Sequence, residues 1–354
     1  MKDFVYTGLP ARVVFGAGAL RHLEREIEML GSTRALVLCT PEQREQAQVI
    51  AERLKSRCVG VFDRAVMHVP IETAREAREQ ARALKADCAV AIGGGSTTGL
   101  GKAIALESSL PILAIPTTYA GSEMTPIYGL TEGGVKKTGR DPRVLPRTVI
   151  YDVNLTLSLP PALSATSGMN AIAHAVEALY AQDSNPIMSL LAQEGIRALA
   201  QGLPGVVKAP QDLEARSQCL YGAWLCGAVL GSVGMALHHK LCHTLGGTFK
   251  LPHAETHTVV LPHAVAYNRA AAPEAMHAAA TALGVADAAQ GLYALARTLG
   301  APLALKDIGM READLDRAAE LATQSPYYNP RAVEHPAIRR LLDDAYHGRE
   351  PTRE

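Results

Sequence analysis

The sequence predicts an α/β fold followed by an all-α one: an amino-terminal doubly wound parallel sheet over residues 1–159 and a carboxy-terminal helical domain over residues 160–354. Three observations carry this. Short, nearly continuous β-branched apolar runs alternate with helical patterns through the first half, as in a parallel sheet covered on both faces. Glycine-rich turns follow two of those runs. After Leu159-Pro160-Pro161 the strand runs stop, and Ala- and Leu-rich helical periodicity takes over to the end.

Taken in order, ARVVFG (11–16) reads as a strand ending at Gly16-Ala17-Gly18, with a helix from about Ala19. RALVLC (34–39), CVGVFD (58–63), CAVAIG (88–93) and PILAIP (111–116) read as further strands. The helices between them are expected at 43–55, 71–85 and 99–107. GGVKKTGRDPRVLPRTVIYD (133–152) reads as a hairpin returning to the sheet. The segments SATSGMNAIAHAVEALYA, PIMSLLAQEGIRALAQGL, RSQCLYGAWLCGAVLG, PEAMHAAATALG and AAQGLYALARTLG then read as helices.

Composition removes several function classes. The chain has 35 basic and 35 acidic residues and a formal net charge of zero, which gives no electrostatic footing for nucleic acid or an anionic membrane. No run approaches the ~20 apolar residues of a membrane span. The start, MKDFVYTGLPARVVFG, lacks the apolar core of a secretory leader. The six cysteines are scattered with no CxxC pair, so neither a disulfide framework nor a zinc knuckle is expected. A reduced, cytoplasmic protein is the expectation, with a small molecule as its partner.

In a doubly wound sheet, ligands bind beyond the carboxyl ends of the strands. The loop after 88–93 reads GGGSTTGLGK (93–102). Glycines between a strand and a helix let the backbone approach a phosphate, and the helix start offers free N–H groups. Gly94 and Gly95, with hydroxyls from Ser96, Thr97 and Thr98, are therefore expected to hold a pyrophosphate. The spacing is neither GxGxxG nor that of a Walker loop. IPTTYAGSEMTP (115–126) brings more hydroxyls to the same sheet edge, as a second cofactor-binding segment. In the hairpin, Lys136, Lys137, Arg140, Arg143 and Arg147 form a solvated face, or one of them holds an anion.

Six of the twelve histidines fall within the 26 residues His238–His263. His239 and His243 are four apart and share one helix face. Gly246-Gly247 is expected to close that helix, and His253 follows Pro252 outside it. Imidazoles grouped at a helix end suit metal ligation or proton transfer near neutral pH. His238, His257 and His263 are read as ordinary surface or core histidines. The sheet domain would hold a dinucleotide, the helical domain would carry the chemistry, and the cleft between them is the expected site.

These motifs, FGAG (15–18), GGGSTTGLGK, IPTT (115–118), GMNAIAHAVEA (168–178) and HHKLCHTLGG…LPHA…LPH (238–263), resemble the iron-containing alcohol dehydrogenase family along essentially the whole chain. The resemblance implies that family's architecture, which is dehydroquinate synthase-like. The family's metal ligands, an Asp and three His, correspond here to Asn170, His174, His239 and His253. The first departs: a neutral amide stands where the family has a carboxylate, which weakens the hold on a divalent cation. A second departure is Gly99, where the family usually has Asp. VMHVPIE (66–72), PTTYAGSEMTPI (116–127) and YYNPR (327–331) are similar to one branch of the family. Members of that branch reduce the C=C bond of maleylacetate with NADH or NADPH, giving 3-oxoadipate in aromatic-ring catabolism, and are generally thought not to need a metal.

Carried onto this sequence, the resemblance implies His243 as the group that polarises the ketone or delivers a proton. His174, His239, His253 and Asn170 become a polar pocket floor, a vestigial metal site with no metal expected. It places cofactor contacts at Gly94, Gly95, Ser96, Thr117, Thr118, Thr125 and Lys136, with His68 near the ribose. Thr40 stands where NAD-preferring relatives have an acid, which leaves NADH and NADPH both open. Tyr327, Arg331 and Arg140 are the candidates for binding the substrate's carboxylates, and a homodimer is implied. Reducing an enone leaves an enolate, intrinsically more stable than the alkoxide from a ketone, so hydrogen-bond donors can replace a Lewis acid. The alternatives are a metal-dependent alcohol or polyol dehydrogenase, a lyase of the dehydroquinate synthase type, and a non-catalytic nucleotide-binding protein.

Overall fold

The computed structural model describes residues 4, 6–9, 11–133, 135–324 and 326–352. The chain forms two compact units, one spanning Gly8–Leu159 and the other taking up the chain from Pro160.

In the first unit the strands are β1 (Arg12–Gly16), β2 (Ala35–Leu38), β3 (Cys58–Phe62), β4 (Cys88–Gly93), β5 (Ile112–Pro116), the pair β6 (Ile127–Glu132) and β7 (Val135–Arg140), and β8 (Thr148–Asp152). The helices are α1 (Leu23–Met29), α2 (Arg44–Leu54), α3 (Ile71–Ala83) and α4 (Gly95–Ser108). Six strands form one sheet in the order β1-β8-β5-β4-β2-β3, and every ladder is parallel. Alternate residues face opposite cores. Val37, Val90, Ile92, Leu113 and Ile115 pack with Leu23 and Ile27 of α1 and Ile50 of α2. Leu36, Leu38, Ala89, Ala91 and Ile112 pack with Ala74 and Ala77 of α3 and Leu100 and Ile104 of α4. Period-2 burial on both faces explains why the strands read as unbroken apolar runs.

The hairpin reading needs correction. Its first strand is β6, upstream of the expected stretch, and β6 and β7 pair antiparallel as a separate two-stranded sheet. Only β8 returns to the main sheet, where it lies between β1 and β5. The buried carboxylate of Asp152 at its end accepts the N–H groups of Gly18 and Leu20, each at 2.8 Å, and so fixes the FGAG turn.

The second unit is helical: α5 (Pro161–Leu179), α6 (Pro186–Lys208), α7 (Leu213–Ser232), α8 (Leu237–Phe249), α9 (His253–Asn268), α10 (Pro273–Leu283), α11 (Ala288–Thr298), α12 (Leu315–Thr323) and α13 (His335–His347). Small residues let α6 and α7 meet backbone to backbone. A Cβ on Gly202 would come 2.8 Å from Cys219 Sγ and 3.0 Å from the Ala215 carbonyl oxygen. A second correction concerns Gly246-Gly247: α8 runs through both and ends at Lys250, which takes the left-handed conformation itself (φ 58°). Among the described residues no single helix is long and apolar enough to cross a membrane.

Candidate active site

The sheet order defines a candidate nucleotide site in the first unit. β2 leads to β3 on one side, while β4 leads to β5 on the other, so the strand order reverses between β2 and β4. The crevice at such a point is where dinucleotides bind. The three loops that meet there start at Cys39, Gly93 and Thr117. Gly93 has φ 146°, a conformation open to glycine, and a Cβ there would lie 2.4 Å from Gln43 Oε1 and 2.5 Å from Thr97 Oγ1. A Cβ on Gly94 would come 3.0 Å from Thr118 Oγ1, while one on Gly95 would meet only Ala120, at 3.9 Å.

Helix α4 starts at Gly95, earlier than expected, so Ser96, Thr97 and Thr98 form its first turn rather than a loop. Its first intrahelical bond runs from Thr98 N–H to the Gly94 carbonyl at 3.1 Å. The N–H groups of Gly95, Ser96 and Thr97 therefore have no intrahelical acceptor, and the positive end of the helix dipole accompanies them. These residues fit a diphosphate. Thr97 and Thr98 are buried against the sheet, which leaves Ser96 as the half-buried hydroxyl of the three.

Gln43 was not anticipated. Its Nε2 donates to Thr117 Oγ1 at 2.8 Å, and its Oε1 accepts from Thr40 Oγ1 at 3.3 Å, so it ties the β2 and β5 loops across Gly93. Thr125 departs from its expected role as a cofactor contact. Its hydroxyl accepts from the buried Lys102 Nζ at 2.9 Å, and the ammonium is completed by the carbonyls of Ser122, Thr125 and Ile127. Thr125 is an internal anchor of the loop, because Lys102 needs acceptors where water cannot reach it. Desolvation pushes the Lys102 ammonium down to about 7, against the attraction of Glu123. His68 is exposed at φ 65°, and its carbonyl accepts from Thr131 Oγ1. The side chain of Lys136 lies outside the described part of the structure. Arg140 is exposed at the end of β7, in register with Ile127.

A cluster of polar side chains lies in the helical unit. Asn170 and His174 sit one turn apart on α5, and Glu177 follows on the next turn. His239 and His243 share a face of α8, and His253 opens α9 after Pro252. The rings cluster tightly: His174 and His239 have centroids 5.2 Å apart, and His239 and His243 6.1 Å. His243 and His253 are exposed, whereas Asn170, His174 and His239 lie buried beneath them.

Glu177, which sequence reasoning passed over, organises this cluster. Its carboxylate, fully buried on α5, accepts the N–H groups of Ala236 (3.0 Å), His238 (2.7 Å) and His239 (3.3 Å) at the start of α8. It also pairs with His239 Nδ1 at 2.6 Å. Helix α8 has no side-chain cap of its own, so a carboxylate from α5 caps it. Burial alone would raise the Glu177 carboxyl; the His239 hydrogen bond, the neighbouring imidazoles and the Ala236 N–H outweigh it and hold it at about 2. The signal that could have found it is its register, three residues beyond His174 on an apolar helix.

Two histidines read as ordinary are part of the cluster. His238 and His257 are wholly buried, joined by a 2.9 Å hydrogen bond between His238 Nε2 and His257 Nδ1. His257 lies 4.4 Å from His253 and 5.0 Å from His239, centroid to centroid. His263 is separate, further along α9 among Arg331, Arg340 and Asp344.

Arg331 departs from its expected role in binding substrate. Its guanidinium stacks on the Tyr267 ring at 4.2 Å and donates to the Tyr267 carbonyl at 3.2 Å. Tyr267 is 14 residues beyond His253 on the same helix, about 21 Å along its axis, which puts Arg331 at the far end from the cluster. Tyr327 keeps a buried hydroxyl without a partner among the described residues, with Lys240 Nζ 5.7 Å from its ring centre.

The residues also bear on a metal. Asn170 Oδ1, His174 Nδ1 and His239 Nε2 are buried without hydrogen-bond partners among the described residues. His239 is oriented through its other nitrogen by a carboxylate, as metal-bound imidazoles are. The donor types fit a divalent cation, but the set offers it no anionic oxygen.

A glycine cradle at a sheet switch point and a carboxylate-braced imidazole cluster on a helical unit define a nucleotide-dependent oxidoreductase. The chain belongs to the iron-containing alcohol dehydrogenase family, matching the iron-containing alcohol dehydrogenase signature over residues 10–153 and that family's C-terminal signature over residues 164–346. Within the family it is similar to the maleylacetate reductase of Burkholderia cepacia, 64% identical over 99% of this chain and 100% of that one. The crystal structure of maleylacetate reductase from Rhizobium sp. strain MTP-10005 is 56% identical, with TM-score 0.96 over 99% of this chain and 100% of that one. A putative alcohol dehydrogenase from Ralstonia eutropha JMP134 is 65% identical, with TM-score 0.98 over 99% of this chain and 100% of that one.

Proposed function

We propose that this enzyme reduces the C=C bond of maleylacetate, and of substituted maleylacetates, to the corresponding 3-oxoadipate, with NADH or NADPH and without a required metal. The observation that carries the metal-free reading is Asn170 in a floor of three imidazoles: it hydrogen-bonds well but adds no negative charge to hold a cation. When bound, the dihydronicotinamide supplies a hydride to the alkene carbon distant from the ketone. The cradle of Gly94, Gly95, Ser96, Thr117 and Thr118 orients it.

Charge then develops on the ketone oxygen as an enolate. The buried His174 and Asn170 offer N–H groups to this charge, where fixed donors act without solvent reorganisation, and Glu177 holds the ring of His239 beside them. His243, exposed on α8, exchanges protons with solvent and delivers one to the enolate carbon or polarises the ketone. A divalent cation held by His174, His239, His253 and Asn170 would act there as a Lewis acid on the same oxygen. The Tyr327 hydroxyl is retained as a partner for a substrate carboxylate. Thr40 brings no carboxylate of its own to the position after β2 that would favour NADH over NADPH. The same reading makes this a cytoplasmic homodimer serving aromatic-compound degradation, with neither nucleic acid nor membrane as partner; its zero net charge supports the last point.

The test is oxidation of NADH and NADPH by chelator-treated protein, with maleylacetate as substrate and a simple aldehyde as control. Rapid turnover of maleylacetate alone is expected. Silence until zinc or iron is restored, with the aldehyde then reduced, would reverse the reading in favour of a metal-dependent alcohol dehydrogenase.

A further inference from the structure

We propose that His257 is a catalytic hydrogen-bond donor of this site, paired through Nδ1 with His238 and drawn into its donating tautomer by the anionic substrate. The inference rests on the maleylacetate reading above and deepens it.

His257 sits inside the imidazole cluster. Its ring centre is 4.4 Å from His253, 5.0 Å from His239 and 6.2 Å from His174, and its side chain is wholly buried. One nitrogen, Nδ1, is taken by His238 Nε2 at 2.9 Å. The other, Nε2, is buried with no partner among the described residues, as is His238 Nδ1 at the far end of the pair. A buried polar atom left unpaired is costly, so a fold that keeps one among substrate-facing groups marks a place for a ligand.

The hydrogen bond between the two rings permits two arrangements of neutral imidazoles. In the first, His238 Nε2–H donates to His257 Nδ1, so His257 carries its own proton on Nε2 and presents a donor. In the second, His257 Nδ1–H donates to His238, and His257 presents a lone pair. A dianionic substrate and its enolate select the first, because a lone pair facing an anion is repelled. A cation would select the second. His257 Nε2–H thus supplies the enolate oxygen with a neutral donor, in a cluster to which Asn170 brings no charge. His238 acts as the positioning residue behind it.

Two experiments test this. In protein loaded with NAD+ and adipate, a stable six-carbon dicarboxylate, nitrogen NMR of the His257 ring is expected to show the proton on Nε2. A proton on Nδ1 would overturn the proposal. In kinetics, His257→Leu is expected to lower kcat for maleylacetate by on the order of 100-fold, the cost of one donor to a developing oxyanion, with KM for NADH unchanged. His257→Gln, whose amide donates from the same reach, is expected to retain more activity than the Leu variant. A His257→Leu enzyme within about 3-fold of the parent in kcat would also overturn it. The tautomer measurement does not use turnover, so a parent enzyme inactive toward maleylacetate would sink the functional reading separately.

Discussion

Glu177 and His243 show how differently two residues of one cluster can matter. Glu177 is buried and takes up three backbone N–H groups and the His239 imidazole, so it serves helix α8 and the chemistry at once. His243 is exposed, with its ring beside that of the buried His239. Glu177→Gln should therefore lower stability by about 3 kcal/mol, the scale for breaking a buried charged pair, and reduce kcat as well. His243→Ala should leave the urea midpoint unchanged while reducing kcat by more than about 10-fold. Parallel denaturation and steady-state kinetics on the two variants check this. Equal stability losses, or an unaltered kcat in His243→Ala, would contradict it. The histidines were legible from their spacing, whereas Glu177 was not. Its register beyond His174 marks it, but its partners at the start of α8 lie about 60 residues away in the chain and no local pattern names them.

At the scale of elements, the glycine turn before α4 shapes the candidate cofactor cradle. Gly93 lies where a side chain would strike Gln43 and Thr97, and its φ of 146° disfavours any L-residue. Gly93→Ala should displace the Gln43–Thr117 bridge and weaken NADH binding by about 10-fold or more, read by quenching of dihydronicotinamide fluorescence. Binding at the parent affinity would show that the turn tolerates a Cβ and that the cradle lies elsewhere. The turn was evident from GGGS after an apolar run. Two details were not: that the helix starts at Gly95, and that Thr125 spends its hydroxyl on Lys102. Both depend on which groups the packed sheet leaves without water.

For the molecule as a whole, the buried imidazoles make stability depend on pH. Desolvation, reinforced by neighbouring imidazoles, lowers His174 and His257 far below the usual range and His238 to about 3. His263 falls to about 4, as burial outweighs the attraction of Asp344. The unfolded chain takes up protons near 6.5 that the native state refuses. Stability is thus full above that pH and falls as pH drops below it, by up to about 1.4 kcal/mol per pH unit for each group. Glu177 adds to the loss only below 4.5, as its folded value is about 2. Urea midpoints measured from pH 7.5 to pH 4.5 should fall steeply through the lower half; a flat profile would mean these rings are charged in the native state.

The sequence by itself determined the layers of this protein. Strand and helix periods, the glycine turn and the change of pattern at Pro160 follow from local geometry, and local geometry is written in residue order. The spacing of His239, His243 and His253 was determined in the same way, whereas Asn170 and His174 came from the family resemblance. Tertiary structure alone decided which side chains meet: the insertion of β8 beside β1, the seating of Glu177 under α8, the pairing of His238 with His257, and the removal of Arg331 to the far end of α9. Those outcomes depend on desolvation and on partners distant in the chain, and no short stretch of sequence encodes either.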